Sequence, residues 1–405
     1  MNLYVIGLGY VGLPLALHAS KNGIQVTGFD IDFSKIERLK HGISGIPDVS
    51  NIEIINQLND GSLKFVNELP KSIKKSIYVI AVPTPLDMND NPDISFLERA
   101  CDSIAQSISD DCLVVNESTS YIGTLRNLIK PRIDRQSGRQ GLRYAVAPER
   151  IDPGNEKWNL KNTPRVISGI TIDDAREAKT FYNHICDEVV TVDSPEIAEA
   201  AKLFENTFRQ VNIALVNEFS EVLNGFDIPS SDALVAAATK PFGFMPFIPS
   251  IGVGGHCIPI DPIYLSYSAD LVNVDTVLID IANKSNFIRY KTIAERIEQA
   301  YGSKLTGVNI QVAGIAYKVG VSDLRESPAL KLISELRSMG ALVSWHDPLV
   351  NNFEQEESSP LNSEIDLGLI ITPHIQINLN IWKNANTKVF DLSTTYYNFG
   401  WPKFL

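Results

Sequence analysis

Residues 1–30 read MNLYVIGLGYVGLPLALHASKNGIQVTGFD, and this stretch decides the fold. The apolar run from Leu3 to Ile6 has the composition of a parallel strand that is covered on both faces. A glycine-rich turn follows, and then a helical stretch from Leu13 to Lys21. A second apolar run, from Gln25 to Phe29, ends at Asp30. The order of strand, turn, helix and strand predicts a βαβ unit.

The turn of this unit has the pattern GxGxxG, spelled by Gly7, Leu8, Gly9, Tyr10, Val11 and Gly12. The first glycine permits a tight turn, the second lets a pyrophosphate approach the backbone, and the third allows the helix to pack closely on the strand. The helix N-terminus offers unpaired N–H groups to the phosphates. Asp30, 18 residues beyond Gly12, is placed to accept hydrogen bonds from ribose hydroxyls and to repel a 2′-phosphate. The pattern therefore predicts a site for NAD rather than NADP.

The alternation of strands and helices continues along the chain. Strands are predicted at 76–82, 113–116 and 143–147, with a helix at 94–107. Ligands of open α/β sheets bind at the carboxyl ends of the strands. The candidates at these ends are Thr84, Glu117, Ser118, Thr119 and the loop 148–154, which contains Glu149 and Arg150. Taken singly, each of the first four also fits ordinary turn or helix-cap chemistry.

A long helix is predicted from Ser194 to Gly225, with Pro195 at its first position. Its apolar residues recur every three or four positions and form one stripe: Ile197, Ala201, Phe204, Phe208, Val211, Leu215, Phe219 and Val222. We interpret this helix as a spacer between domains and as a contact in a homodimer. Lys202 and Asn206 lie on the opposite side, where they face either water or a catalytic cleft.

A further helix, predicted at 275–301, leads into a second α/β unit. Its strands are predicted at 308–315, 342–346, 367–372 and 388–392, with a helix at 328–339. The unit repeats the order of strand, turn, helix, strand and aspartate, but it lacks GxGxxG, so a second dinucleotide is not expected. A nucleotide with a smaller phosphate group fits this turn, with Lys318 and Arg325 as basic contacts.

The stretch from Lys240 to Leu265, KPFGFMPFIPSIGVGGHCIPIDPIYL, is too rich in glycine and proline for a regular element. It holds Cys257 directly after Gly254, Gly255 and His256. A shaped loop with a thiol at its centre is typical of a nucleophile site. The alternative is that Cys257 is buried and acts only as a small hydrophobic residue.

The composition excludes several classes of protein. The 405 residues carry a net charge of −12, which argues against general nucleic-acid binding. The four cysteines and six histidines show neither paired nor metal-ligand spacing, so we expect no disulfide framework and no metal site. No apolar run approaches the roughly 20 residues that span a bilayer, and the N-terminus lacks the features of a signal peptide. We therefore expect a cytoplasmic enzyme, in a reducing environment that suits a working thiol.

The chain resembles the UDP-glucose/UDP-N-acetylhexosamine 6-dehydrogenase family. The matching stretches are GLGYVGLPLA (7–16), VPTPLD (82–87), PERIDPGN (148–155), AKLFENTFRQVNIALVNE (201–218), GVGGHCIPIDP (252–262) and GIAYKVGVSDLRESPA (314–329). The resemblance implies an α/β fold of two Rossmann-like doubly wound domains joined by a long central helix and a helical middle domain. It implies an NAD-binding domain at 1–193, a central dimerisation domain with the cysteine loop at 194–300, and a UDP-sugar-binding domain at 301–405.

The family oxidises C6 of a UDP-sugar from alcohol to carboxylate, and two NAD molecules each accept one hydride. The resemblance implies that Cys257 is the nucleophile, that Lys202 and Asn206 bind the C6 oxygen, and that Asp261, Thr119 and Glu149 position or activate water. It further implies cofactor contacts from the GxGxxG turn and Asp30, together with Thr84, Ser118, Thr119 and Arg325. The implied substrate contacts are Glu149, Arg150, Lys202, Asn206, Lys240, Phe247, Gly254 and Lys318.

The chain departs from the UDP-glucose branch at Ile260, where that branch has lysine, and at Pro153, where it has a second glutamate. Both differences favour a sugar other than plain glucose. The stretches PERIDPGN and TKPFGFMPF look most like the UDP-N-acetylglucosamine 6-dehydrogenase branch, which feeds surface polysaccharide synthesis. The acetamido-sugar branch has a Gly-Pro-Gly run before GGHC, whereas this chain has Ser250, Ile251 and Gly252. UDP-ManNAc, UDP-GalNAc and UDP-glucose remain alternative substrates.

Two more distant alternatives are a two-electron β-hydroxyacid dehydrogenase and a protein that binds NAD without turnover. The first also pairs a dinucleotide-binding domain with a helix that bears lysine and asparagine, but it leaves Cys257, Glu149 and the C-terminal domain without a role. The second predicts a missing nucleophile or base, and none of the expected set is missing from the sequence.

Overall fold

The computed structural model describes residues 1–46, 49–152, 155, 157–395 and 399–405. The chain divides into two compact units. Unit 1 comprises Met1–Glu205 and Ile263–Val274, and unit 2 comprises Asn206–Pro262 and Asp275–Leu405.

Unit 1 is built on one sheet of eight strands. They are β1 (Asn2–Ile6), β2 (Gln25–Phe29), β3 (Leu63–Val66), β4 (Ile77–Ile80), β5 (Leu113–Asn116), β6 (Arg143–Val146), β7 (Arg165–Gly169) and β8 (Val189–Thr191). Their order in the sheet is β3-β2-β1-β4-β5-β6-β7-β8. Neighbouring strands are parallel except β6 and β7, which run antiparallel. The order reverses between β1 and β4, where doubly wound sheets bind their ligands.

Helices cover this sheet and bury its strands on both faces. They are α1 (Gly12–Lys21), α2 (Phe33–Lys40), α3 (Asn51–Asp60), α4 (Ser95–Ser107), a π-helical turn (Leu125–Ile129), α5 (Lys130–Ser137) and α6 (Ile172–Tyr182). Alternate residues of β1 belong to two different core clusters: Leu3 and Val5 to one, Tyr4 and Ile6 to the other. This burial on both faces explains why the strands read as continuous apolar runs.

Helix α7 (Pro195–Asn224) is a single 30-residue helix, close to the predicted 194–225. Its predicted apolar stripe is largely exposed to solvent, with Phe204 and Leu215 at 65% and 64% of their full exposure. Its opposite face is polar and buried, and carries Glu199, Lys202, Asn206, Gln210, Asn217 and Ser220. This distribution is the reverse of an ordinary surface helix, and it favours an apolar partner on the exposed side.

Unit 2 contains the remaining elements. They are α8 (Ser230–Ala238), α9 (Asp261–Asp270, which ends in unit 1), α10 (Val277–Tyr301), β9 (Asn309–Ala313), α11 (Pro328–Ser338), β10 (Leu342–His346), β11 (Asn352–Phe353), β12 (Glu356–Glu357), β13 (Leu367–Ile370), α12 (Asn380–Asn384) and β14 (Val389–Asp391). The main sheet has the order β10-β9-β13-β14 and is parallel throughout. The fold class expected from the sequence is confirmed. None of the described helices is both long and apolar enough to cross a membrane.

Candidate functional site

The turn after β1 has the geometry that its three glycines predict. Gly7 has a φ of +93°, and a Cβ on Gly12 would lie 1.9 Å from the Gly7 carbonyl oxygen. These two glycines are therefore required by the fold. A Cβ on Gly9 would meet nothing within 4 Å. The space beside Gly9 is open for a ligand, and this is the position where the fingerprint brings a pyrophosphate.

The start of α1 faces the same turn. Its N-cap residue, Val11, forms no side-chain cap, so the first-turn N–H groups have no side-chain acceptor at the cap. Tyr10 is partly exposed beside it. Open space at Gly9 and an uncapped helix N-terminus together fit a dinucleotide phosphate.

Asp30 is buried at the end of β2 and organises this turn. Its Oδ2 accepts hydrogen bonds from the Leu8 N–H at 3.0 Å and from the Lys35 Nζ at 2.6 Å, and its Oδ1 accepts from the Asp32 N–H. The carboxylate stays available to a ribose because three donors leave part of its acceptor capacity unused. The sequence analysis did not single out Lys35, which forms an ion pair with Asp30.

The candidates at the ends of β4 and β5 have different surroundings. The Ser118 hydroxyl donates to the Val82 carbonyl at 2.8 Å and accepts from the Val82 N–H at 2.9 Å, so it supports the turn after β4. Thr84 is buried, and Thr119 is half-buried. Glu117 was expected at the rim, but the structure buries it behind Glu149, at 1% exposure.

Glu149 is held by three donors. Its Oε1 accepts from the N–H groups of Arg150 and Ile151, each at 2.5 Å, and its Oε2 pairs with the Arg165 guanidinium at 2.7 Å. Arg150 forms an ion pair with Glu205 at 2.6 Å and donates to the Pro164 carbonyl. Pro153, one of the departures from the UDP-glucose branch, lies outside the described residues.

The buried face of α7 carries the predicted lysine and asparagine. Lys202 belongs to unit 1 and is only 9% exposed, although lysine is rarely buried without a partner. Asn206 belongs to unit 2, and its Nδ2 donates to the Asp261 Oδ2 at 2.5 Å. Both residues avoid the exposed apolar side of the helix, as the sequence predicted.

The cysteine loop leads directly into α9. The Cys257 carbonyl accepts the N–H groups of Ile260 at 3.1 Å and Asp261 at 2.8 Å, and Asp261 is the first residue of the helix. Cys257 is exposed, whereas Cys101, Cys112 and Cys186 are buried. The interpretation of Cys257 as a buried hydrophobic residue is therefore wrong. Within unit 2, the structure brings together an accessible thiol, a buried carboxylate and an amide.

Two glycines let this loop pack against the segment before α11. A Cβ on Gly254 would lie 2.9 Å from Tyr317 and from Pro328, so packing requires a glycine at this position. Gly255 has a φ of +85°, and its N–H donates to the Arg325 carbonyl at 3.0 Å. The loop is thus held by close backbone contacts that larger residues would prevent.

The segment at Ser250 and Ile251 does not need the glycines of the acetamido-sugar branch. Neither residue has a positive φ, and Gly252, with a φ of +143°, carries the unusual conformation. Ser250 accepts from the Arg289 Nε through its carbonyl, and its N–H donates to the Asn217 Oδ1 at 2.7 Å. Ile251 belongs to the core of unit 2. Hydrogen bonds therefore replace backbone freedom in defining this turn.

The predicted substrate contacts of unit 2 are spread over several segments. Lys240 is exposed, with its Nζ 5.0 Å from the centre of the Phe242 ring. Phe247 packs edge-on against Phe208 at 5.9 Å. Lys318 is half-buried after β9. Arg325, the predicted cofactor contact, pairs with Asp323 at 2.6 Å and remains partly exposed.

The turn after β9 reproduces the organisation of the first turn without its glycine pattern. Asp347, at the end of β10, accepts the N–H groups of Ile315 at 2.9 Å and Ala316 at 3.1 Å, as Asp30 accepts that of Leu8. His374 Nε2 lies 3.2 Å from the Asp347 Oδ2. Burial alone would raise the pKa of Asp347, but His374 and the N–H groups of Leu349 and Ile315 together outweigh it, and the pKa lies below its usual value.

Arg165 and Tyr182 are the residues near Glu149 that the sequence analysis missed. Both are buried in the core of unit 1. The arginine of the apolar strand RVISG was the available signal for Arg165, because a charge buried in such a strand requires a carboxylate partner. Among the described residues, no group of three or more His, Cys, Asp or Glu side chains is arranged to hold a metal ion.

Comparison with known proteins gives matches along the whole chain. Residues 1–186 match the NAD binding domain of the UDP-glucose/GDP-mannose dehydrogenase family, residues 196–287 its central domain, and residues 311–394 its UDP binding domain. "Protein CapL" from Staphylococcus aureus is 32% identical over 92% of this chain and 90% of its own length. A UDP-N-acetyl-D-glucosamine 6-dehydrogenase from Salmonella typhi is 33% identical over 87% and 83%.

Among solved structures, the UDP-D-ManNAc dehydrogenase from Pyrococcus horikoshii superimposes with a TM-score of 0.86 at 31% identity, over 99% of this chain and 98% of its own. The family resemblance and the expectation of NAD as cofactor are both confirmed. The chain belongs to the UDP-glucose/GDP-mannose dehydrogenase family and is an NAD-dependent nucleotide-sugar dehydrogenase.

Proposed function

We propose that the protein oxidises the C6 hydroxyl of a UDP-N-acetylhexosamine, in the first instance UDP-GlcNAc, to the carboxylate for surface polysaccharide synthesis. The observation that carries the proposal is the exposed thiol of Cys257, four positions before Asp261, whose carboxylate is bound by Asn206. A two-electron dehydrogenase has no use for such a nucleophile. An alcohol-to-acid oxidation requires one, because a bare aldehyde must form an adduct before it can lose a second hydride.

NAD, when bound, accepts one hydride in each of the two oxidations. The Cys257 thiolate adds to the aldehyde carbon to form a thiohemiacetal, and its oxyanion takes up a proton. Loss of the hydroxyl proton and of the C6 hydride converts this adduct to a thioester. Water then attacks the thioester carbon, the C–S bond breaks, and the carboxylate and the thiolate are released.

The neighbouring side chains supply charge and protons for these steps. We assign to Lys202 the stabilisation of negative charge on the C6 oxygen, because a buried ammonium is most effective in a site of low dielectric. Asn206 keeps a second N–H for the same oxygen after its bond to Asp261. We assign the positioning of the attacking water to Asp261 and Thr119, and the removal of its proton to Glu149.

Binding of the two ligands follows the division into the domains 1–193, 194–300 and 301–405, which we retain as a proposal. The family domains at 1–186, 196–287 and 311–394 support it. We assign the cofactor to the GxGxxG turn, Asp30, Thr84, Ser118, Thr119 and Arg325. We assign the UDP-sugar to Glu149, Arg150, Lys202, Asn206, Lys240, Phe247, Gly254 and Lys318.

We further propose that the protein forms a homodimer through the exposed stripe of α7. Six large apolar side chains of this one helix are exposed: Ile197, Phe204, Phe208, Leu215, Phe219 and Val222. A second copy of the same helix offers an equally apolar surface, which is the self-complementarity that a two-fold interface needs. The thiol chemistry suits a reducing compartment, and we place the reaction in the cytoplasm.

UDP-ManNAc is the second candidate substrate, because relatives at about the same identity bear both names. The two sugars differ only in the configuration at C2. The decisive measurement is NADH release against UDP-GlcNAc, UDP-ManNAc, UDP-GalNAc and UDP-glucose, together with NADH formed per sugar consumed. We expect two NADH per sugar and the highest kcat/KM for UDP-GlcNAc. One NADH per sugar would contradict the four-electron reaction and favour a two-electron dehydrogenase.

The Cys257→Ala variant tests the covalent mechanism. We expect it to lose net oxidation to the acid while it binds NAD with nearly unchanged affinity, because Cys257 lies outside the GxGxxG turn. Cys101→Ala, which alters a buried cysteine of unit 1, is the matched control. Full activity of the Cys257→Ala variant would refute the role of the thiol.

A further inference from the structure

A buried cluster of charges lies behind Glu149. Glu117 follows β5, Arg165 opens β7 and Tyr182 ends α6, and all three side chains are buried in unit 1. The Arg165 Nη2 contacts the Glu149 Oε2 at 2.7 Å, and its Nη1 lies 3.7 Å from the Glu117 Oε2. The Tyr182 hydroxyl donates to the Glu117 Oε1 at 2.5 Å. One guanidinium is therefore shared by two carboxylates.

The charges of this cluster do not balance when both carboxylates are ionised. One cation then faces two anions, and the excess negative charge is almost entirely shielded from solvent. The Glu117 Oε2 has no hydrogen-bond donor, so this carboxylate is less well stabilised than Glu149 with its three donors. Burial, opposed by Arg165 and reinforced by the charge of Glu149, raises the pKa of Glu117 to about 7. Cys186 is a further titratable group near the cluster, and it interacts with Arg165, Glu117 and Glu149.

Glu149 itself retains the capacity for one more hydrogen bond. A carboxylate offers about four acceptor positions, and two N–H groups and one guanidinium occupy three of them. The donors hold the carboxylate in a single orientation. The remaining position is the one through which it can accept a proton from water.

We propose that Arg165 and Glu117 are positioning residues for Glu149: Arg165 fixes its orientation, and the charge on Glu117 sets how strongly Glu149 attracts a proton. The proposal rests on the function proposed above, in which Glu149 is the base for thioester hydrolysis. When Glu117 is protonated, the positive charge of Arg165 acts on Glu149 alone and weakens it as a base. When Glu117 ionises, it offsets that charge, and Glu149 accepts the proton of the attacking water more readily.

The Glu117→Gln variant separates this role from a purely structural one. Glutamine can still accept the Tyr182 hydrogen bond, but it stays neutral at every pH, as protonated Glu117 is. We expect single-turnover NADH formation at wild-type rates. Release of the acid should be near the wild-type rate at pH 6 and slower by about tenfold at pH 8, where the wild type has ionised Glu117. Intact-protein mass spectrometry should then detect the sugar thioester on Cys257 in the variant at pH 8.

Two further variants test the same proposal. Glu68→Gln, which changes an exposed acid of the same unit, should behave as wild type at both pH values. Arg165→Lys keeps the charge but has no planar fork to reach both carboxylates, so it should accumulate the thioester at both pH values. Equal slowing of the Glu117→Gln variant at pH 6 and pH 8, or no slowing at either, would overturn the proposal. If the wild-type enzyme forms only one NADH per sugar, the proposed function itself fails. This stoichiometry is therefore measured on the wild type before the variants are compared.

Discussion

Asn206 and Asp261 are joined by a hydrogen bond from the Asn206 Nδ2 to the Asp261 Oδ2 at 2.5 Å, and both side chains are buried. The bond connects the polar face of α7 to the first residue of α9, directly after the cysteine loop. A carboxylate at a helix N-terminus is also favoured by the helix dipole. Asp261 therefore orients the amide of Asn206.

The Asp261→Asn variant should remove the negative charge of this acceptor with little change in volume, and its amide group can turn a donor instead of an acceptor towards Asn206. We expect kcat to fall by about 10²–10³, the range found when a single charge-stabilising donor is lost or misplaced, with little change in affinity for NAD. Steady-state kinetics and NAD titration measure the two effects. Asp270→Asn, at the other end of α9, is the matched control. Equal losses in both variants would mean that the helix, and not the Asn206 contact, had been disturbed.

Asn217 holds the turn before the cysteine loop. Its Oδ1 accepts the Ser250 N–H, and its Nδ2 donates to the Asn286 Oδ1 at 3.2 Å. The Asn217→Ala variant leaves the Ser250 N–H and the Asn286 Oδ1 buried without the Asn217 amide as partner. We therefore expect unit 2 to lose about 1–3 kcal/mol of stability and kcat to fall. Urea unfolding and steady-state kinetics measure these effects. Asn212→Ala, on the same helix, removes only a bond to the Phe208 carbonyl and should change little; a similar loss there would contradict the assignment.

Gly255 is required both by its backbone conformation and by the space around it. It has a φ of +85°, and a Cβ would lie 3.0 Å from the Tyr317 ring. Gly320 has nearly the same φ, +83°, but nothing lies within 4 Å of its Cβ position. Gly320→Ala should therefore cost about 1 kcal/mol for the backbone alone, and Gly255→Ala more, with loss of activity. Thermal unfolding of the two variants isolates the steric contribution; equal shifts would show that packing on Tyr317 is unimportant.

Leu215→Glu tests the proposed dimer. A charge in the middle of the exposed stripe of α7 would be buried without a partner in a two-fold interface, and we expect the variant to be monomeric at micromolar concentrations where the wild type is dimeric. Sedimentation equilibrium measures this directly. Arg209→Glu adds an acid to the same helix outside the stripe and should leave the dimer intact. A dimeric Leu215→Glu variant would place the interface elsewhere.

Glu199 should make stability depend on pH. Its carboxylate accepts the N–H groups of Gly123 and Leu125, yet burial dominates and raises its pKa to about 7. The folded protein therefore holds a proton that the unfolded chain has released above pH 4.5, so stability falls as pH rises towards 7. Between pH 5 and pH 8 the free energy of unfolding should fall by roughly 2–3 kcal/mol because of this group. The Glu199→Gln variant should lack this part of the pH dependence.

Urea unfolding at the two pH values gives the comparison. Glu196→Gln, one turn earlier on α7, is the control: its hydrogen bond with Arg126 lowers the pKa of Glu196, so its contribution is constant above pH 5. A Glu199→Gln variant with the full wild-type pH dependence would contradict the role of Glu199.

Most of the fold could be predicted from the sequence, because the patterns that indicate its strands and helices are local. Strand Leu113–Asn116 was predicted to the residue, since a parallel strand covered on both faces is a largely apolar run. The bounds of Leu342–His346 were also predicted, although this strand lies at the edge of its sheet and is partly exposed. The short strands β7 and β8 were missed. The antiparallel pairing of β6 with β7 depends on contacts distant in sequence, which no local pattern encodes.

The parts of the candidate site that are rich in glycine or proline could be predicted from the sequence. The GxGxxG turn and the Cys257 loop could be recognised because their backbone shapes restrict the residue type. The roles of Glu117, Arg165 and Lys35 could not be predicted in this way. Their environment is created by charges that the fold brings together from separate strands and helices, and a single charged residue in the sequence gives no sign of its partner.

The two faces of α7 have a consequence for how this protein can evolve. Each residue added to an α-helix rotates everything after it by about 100°. One inserted residue between Lys202 and Leu215 would turn the later part of the exposed stripe away from the earlier part, and it would displace Asn217 from Ser250 by the same angle. The number of residues in α7 is therefore fixed, because an insertion or deletion would rotate one part of both faces relative to the other part.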